Sequence, residues 1–211
     1  MSKSLTLAAA IMLAASPLMA ETPMPKMMYK STETPAYSVE GSAGGVELRR
    51  YDPRIVAEVT VTGPRLLAIN TGFRILAGYI FGGNQTRAKV AMTSPVAQAP
   101  SEKIAMTSPV AQSGEEGTWV VQFTMPSGYS LETLPVADDA RIRFVAQPAQ
   151  RQLVVQFSGM ATPSALQKAE AQLRAAAKAQ NLTFSAGPYF YFYDAPMTLP
   201  WNRRNEVAFV L

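Results

Sequence analysis

The chemistry open to this 211-residue chain is narrowed by two absences: it has no histidine and no cysteine. Ser-His-Asp triads, histidine-ligated zinc, imidazole on an iron, thiolate nucleophiles, disulfides and iron–sulfur clusters are therefore excluded. Cations, carboxylates, phenols and thioethers remain. Arg203-Arg204 stands just before a terminal apolar strand, Glu206 to Leu211, and paired guanidiniums can grip a carboxylate in two-pronged fashion. Neighbouring strand residues face opposite ways, however, so a structural pairing of Glu206 with Arg49 or Arg50 is the competing expectation. Glu47 and Glu58 also read as strand residues, and no carboxylate pair has a spacing that singles it out for acid/base work. Thioethers are soft ligands; Met24, Met27 and Met28 cluster near the start, where a Cu(I) contact competes with a plain disordered tail. Met92 and Met106 hold equivalent places in a repeated segment, either as core filler or as ligand contacts. From Tyr189 to Tyr193 tyrosine and phenylalanine alternate, so three phenols share one face and two phenyl rings the other.

Those side chains have to be positioned by elements, and the pattern of the chain predicts which. Lys3, the apolar run Leu5 to Ala15 and Pro17 to Ala20 have the form of an export signal over residues 1–20, too short to span a bilayer. Residues 21–33, rich in Pro, Met, Lys and Thr, read as a flexible leader, and 34–211 as one domain; the chain as a whole has an ordinary globular composition, 48 % apolar and 16 % charged. Strands are predicted at Ala36 to Glu40, Val46 to Tyr51 and Ile55 to Thr62, with a turn at Gly41 to Gly45. Gly63-Pro64 opens a helix with Pro at its first position, and Leu66, Ile69, Phe73, Leu76 and Ile80 form its apolar face up to a stop at Gly82-Gly83-Asn84.

The second half has the same outline. Strands are predicted at Thr118 to Phe123, Arg141 to Val145 and Leu153 to Phe157. Thr162 then caps a Pro-started helix whose stripe is Leu166, Ala169, Leu173 and Ala176/Ala177. Two such units point to an internally duplicated α+β fold. Within it Lys89 to Gln98 recurs as Lys103 to Gln112 with one Val/Ile change, and the turn Ala99 to Glu102 between them predicts a hairpin that brings Met92 and Met106 close together. The net charge of +4 is scattered, so neither nucleic acid nor a transmembrane segment is expected. A monomer in the periplasm or outside the cell is.

The residues also resemble a known family. Glu33 to Tyr37, Glu47-Leu48-Arg49-Arg50-Tyr51, Ile55 to Val59, Phe73 to Asn84, the tandem Lys-(Val/Ile)-Ala-Met-Thr-Ser-Pro-Val, Tyr129 to Pro135, Phe157-Ser158-Gly159 and Arg203 to Val207 are similar to the SOUL haem-binding proteins, in particular the exported bacterial branch. The resemblance implies a distorted antiparallel β-barrel with two packed helices, and a non-enzymatic binding module for haem, a porphyrin or another flat hydrophobic ligand. It places the tetrapyrrole on an apolar surface beside the first helix with basic groups near its propionates, for which Arg65, Phe73, Arg74, Tyr79, Met92 and Met106 are the candidates. With no histidine, axial ligation falls to Met, Tyr or Lys, or to nothing. Two other functions compete. One is a hydrolase of the wider superfold working through a buried glutamate (Glu47, Glu58, Glu132 or Glu206) and a tyrosine; the other is an interaction domain with an apolar patch and no small ligand.

Overall fold

The computed structural model describes residues 26–87, 101–115 and 117–211. The export signal expected over 1–20, the first part of the leader, Met92 and the first copy of the repeat lie outside them. In chain order come β1 (Met27–Tyr29), β2 (Thr32–Thr34), β3 (Tyr37–Ala43), β4 (Val46–Tyr51), β5 (Arg54–Thr62), α1 (Arg65–Ile80) and β6 (Asn84–Gln85). Then follow β7 (Val110–Glu115), β8 (Thr118–Thr124), β9 (Val136–Ala137), β10 (Arg143–Gln147), β11 (Gln150–Phe157), α2 (Pro163–Ala179), β12 (Ala186–Phe192) and β13 (Asn205–Val210). Among the described residues no helix is long and apolar enough to cross a membrane.

Nine strands form one antiparallel sheet in the order β10-β5-β8-β7-β12-β13-β11-β4-β3, curled into a half-barrel. The duplication read from the sequence is present with an exchange. β4, from the first half, pairs with β11, and β10, from the second, pairs with β5. Each half therefore completes the other's sheet.

Strand alternation sends one side of the sheet to the helices and the other to the interior of the half-barrel. On the helix side, Ala57, Val59, Val121 and Phe123 meet Ala68, Leu76, Tyr79 and Ile80 of α1. Leu153, Val155, Val207 and Phe209 meet Leu166, Ala169, Leu173 and Ala177 of α2, the stripe its spacing predicts. The start of α2 is also as expected: Thr162 Oγ1 accepts from the Ala165 N–H at 3.2 Å, with Pro163 in the first turn.

The face that α1 buries differs from the one its spacing suggested. Leu76 and Ile80 are buried as expected and Ile69 is half-buried, but Leu66 and Phe73 are exposed and Ala68, Gly72 and Tyr79 are buried in their stead. Small residues decide this, because a Cβ on Gly72 would lie 2.6 Å from Val121 Cγ2, so only glycine lets the helix sit this close to β8. Gly72→Ala should therefore lose about 1–3 kcal/mol to overpacking, more than the roughly 1 kcal/mol of helix propensity it gains. Gly78→Ala, on the same helix with nothing within 4 Å of the added Cβ, gains the propensity alone. Thermal melts should move in opposite directions, down by a few degrees for the first and up for the second; equal shifts would show that the Gly72 contact does not set the helix position.

Other expectations change in part. The leader expected over 21–33 contains the β1–β2 hairpin, with Met27 opposite Thr34. The hairpin expected between the repeat copies has its first strand outside the described residues. The second copy enters a strand only at Val110, and β7 pairs with β8 and β12. The turn expected at Gly41 to Gly45 narrows to Gly44-Gly45, both at positive φ, while Gly41 to Ala43 continue β3.

Candidate functional site

α1 is apolar nearly all the way round, and only one side of it is used by the sheet. Leu66 is 73 % exposed, Leu67 64 %, Phe73 37 % and, just past the helix end, Phe81 65 %. At 100° per residue these four fall with Asn70, Arg74 and Ala77 on one continuous stripe, and Leu66 to Phe73 spans about 10 Å of the axis. Arg74 is exposed at the centre of that stripe, its Nε donating to the Asn70 carbonyl at 3.3 Å. Phe73 also meets the core ring of Phe123 edge-on at 5.4 Å; an apolar surface left exposed among the described residues, with a cation in its middle, is what a flat hydrophobic anion needs.

The six candidate residues do not converge on one point. Phe73 and Arg74 lie on the stripe. Arg65 is half-buried at the start of α1 and turns toward the sheet, where its Nη2 donates to Gln112 Oε1 at 3.1 Å and its guanidinium lies 5.0 Å from the Phe190 ring and 5.5 Å from Trp119. Burial lowers its pKa. Tyr79 is in the core, its hydroxyl donating to the Pro135 carbonyl at 3.0 Å, and burial raises its pKa. Met106 is partly exposed two residues beyond Ile104, whose N–H donates to the Ile80 carbonyl at the end of α1. Met92 lies outside the described residues.

The inner side of the sheet holds a second polar constellation. Arg49 and Glu206, both fully buried, make a two-pronged pair: Nη1 to Oε2 at 3.0 Å and Nη2 to Oε1 at 3.1 Å. Arg204 donates twice more to Oε1, at 3.0 and 2.6 Å, and Tyr193 Oη to Oε2 at 2.9 Å. The pairing of Glu206 with Arg49 is the structural alternative foreseen for the polar motif at the chain end. Burial works against the charge of Arg49, and the carboxylate of Glu206 with the Tyr51 hydroxyl outweighs it, so its pKa is raised. Burial and the same carboxylate push the Tyr193 phenol well up. Glu206 receives five donors, leaving no free lone pair with which to activate a water. Glu58 accepts from Gln122, Glu47 from Arg49 and Glu132 from the Ser130 hydroxyl. None of the four glutamates has the unpaired, buried setting that a hydrolase needs.

The β1–β2 hairpin closes this constellation from outside and joins the two halves. Tyr29 meets the Tyr193 ring edge-on at 5.2 Å and donates to Asp194, which also pairs with Lys30. Glu33, on β2, accepts from the Ser127 N–H at 2.8 Å. Sequence reasoning missed the hairpin because its residues carry no periodicity.

A family model described as SOUL heme-binding protein matches residues 32–210. No curated protein matches the sequence. Solved structures with a similar fold include a hydrolase from Listeria innocua, 11 % identical, with a TM-score of 0.54 over 82 % of this chain and 94 % of that one. The EcmrR C-terminal domain is 14 % identical, TM-score 0.53, over 82 % and 96 % of the two chains. An uncharacterized conserved protein from Listeria innocua is 12 % identical, TM-score 0.51, over 79 % and 92 %. At such identities the likeness is one of fold alone.

Proposed function

From the premise that this chain belongs to the SOUL heme-binding protein family, we propose that it is an exported binding protein, periplasmic or secreted and monomeric, that holds haem or a porphyrin against the outer stripe of α1. The family supports a haem-binding role. The observation that carries the placement is the run of Leu66, Leu67, Phe73 and Phe81, left exposed on a helix whose other side is fully packed. The residues fit the group: apolar side chains for the macrocycle face, and the Arg74 guanidinium for a propionate. Arg65, engaged by Gln112 and two aromatic rings, serves instead to hold the start of the helix on the sheet. Tyr79 anchors the other end through Pro135. When bound, haem would supply its iron, and the exposed thioether nearest the end of α1 among the described residues is that of Met106. Binding of the ring therefore rests on apolar contact and on charge, and an iron-free porphyrin should be held as well as haem.

The test is a titration of the purified, tag-free protein with hemin and separately with protoporphyrin IX, followed by absorbance and intrinsic fluorescence. A histidine tag would itself ligate iron. Saturable one-to-one binding of both, weakened severalfold by Arg74→Glu as a surface charge reversal should do, is the expected result. Failure of either compound to saturate, or indifference to Arg74→Glu, would overturn the reading.

A further inference from the structure

The interior of the half-barrel holds polar groups that the fold leaves without partners. Arg54 opens β5 and faces inward, opposite Gln147 of β10. Arg54 Nη1 and Gln147 Oε1 are both buried and unbonded, and Gln152, fully buried on β11, uses Oε1 to accept from the Tyr191 hydroxyl while its Nε2 has no partner. Arg54 has no ion pair among the described residues, unlike Arg49 and Arg204, which share Glu206. Its guanidinium lies 5.1 Å from the Tyr51 ring. Leaving such groups unsatisfied in a folded interior is costly, and Arg54 and Gln147 lie together at one place in it.

The surrounding space has two compartments. The inner one, walled by Tyr51, Tyr189, Tyr191 and Tyr193, is a cavity of about 20 Å³, room for roughly one water or one small polar head group. It opens on a groove of about 860 Å³ with Met27, Pro35, Pro53, Met125 and Leu131 in its lining, a volume within the usual range for small-ligand sites. Arg54, Gln147, Pro35 and Thr124 line both. The orphaned cation thus stands where an apolar groove narrows to a polar end. Three carboxylates line the outer groove. Glu33 is engaged by Lys26 and the Ser127 N–H, and Glu132 by Ser130. Asp52 is the third and disfavours a second negative charge on whatever lies there.

We propose that this interior is a second binding site, separate from the outer face of α1, for a flat monoanionic aromatic carboxylate, with its carboxylate on Arg54 at the junction and its ring in the outer groove. The inner cavity is too small for a macrocycle, and the site lies on the opposite side of the sheet from α1. A guanidinium matches a carboxylate in shape and charge, and Met27, Pro35, Pro53, Met125 and Leu131 of the outer groove give the aromatic body an apolar surface to lie on.

The probe is 1-naphthoate, with 1-naphthylmethanol and 1-naphthylmethylammonium as neutral and cationic counterparts, each titrated into the tag-free protein and followed by calorimetry. Naphthoate should saturate at one per chain, with both counterparts and the Arg54→Gln variant at least tenfold weaker. The melting temperature of Arg54→Gln without ligand should be unchanged or higher, because the native charge has no partner to lose. No binding of naphthoate, equal binding by wild type and Arg54→Gln, or tighter binding of the ammonium compound would each overturn the proposal. Hemin binding is read separately, so failure here leaves the tetrapyrrole reading standing.

Discussion

Glu206→Leu is expected to lower the melting temperature by about 10 °C, the largest effect of any single change in this chain. The carboxylate is the hub for Arg49, Arg204 and Tyr193, and removing it takes from the fully buried Arg49 guanidinium its one buried carboxylate, leaving it the partly exposed Glu47 and the Tyr51 hydroxyl. Breaking a buried pair from one side costs about 3–5 kcal/mol, and in a domain of this size each kcal/mol moves the transition by about 2–4 °C. The converse change is milder. Arg49→Met leaves Glu206 bonded to Arg204 and Tyr193, so its loss should be about half as large. The double variant should fall less than the two single losses summed, because the second substitution removes the buried charge from which the first took its two-pronged partner. Circular-dichroism melts of the three proteins decide the matter. A Glu206→Leu protein melting within a couple of degrees of wild type would mean that the network is solvated and structurally idle.

The second large effect separates binding from stability. Leu66→Asp combined with Leu67→Asp should leave the melting temperature within about 2 °C of wild type, because both side chains are largely exposed and surface changes of this kind stay within about 0.5 kcal/mol each. The helix itself tolerates the change, since α1 has no acidic residue in its first turn and carboxylates there favour the positive end of its dipole. Porphyrin binding should nevertheless weaken by about 100-fold or more. Covering each leucine with a macrocycle is worth about 1.5–3 kcal/mol, and the new carboxylates also repel the propionates. Protoporphyrin IX titrations of the variant give the number. An affinity within threefold of wild type would remove the α1 stripe from consideration as the site.

How much of this was legible beforehand varies from element to element. For α2, Thr162, Pro163 and the stripe from Leu166 to Ala177 were readable because one face is apolar and the other polar, so the spacing has a single interpretation. The alternation of Tyr189 to Tyr193 likewise put the two phenylalanines on one face and the three tyrosines on the other, and the structure packs Phe190 with the α2 core and the tyrosines with the opposite cluster. The family motifs, spread over the whole domain, carried the fold. For α1 the reading divided wrongly, because leucine and phenylalanine occur all round it. Which side is buried was decided by where Gly72 and Ala68 let the backbone approach β8.

By itself the sequence determined the α+β class, the duplicated half-barrel, the absence of histidine and thiol chemistry, and the family. The tertiary structure alone decided that the first helix keeps an uncovered apolar stripe, that β4 and β10 cross between the halves, and that Arg49 and Arg204 share Glu206 while Arg54 is left over. The reason is physical: periodicity records which residues share a face, whereas what covers that face, and which charges meet across strands far apart in the chain, is set only when the sheet curls and its two sides acquire different neighbours.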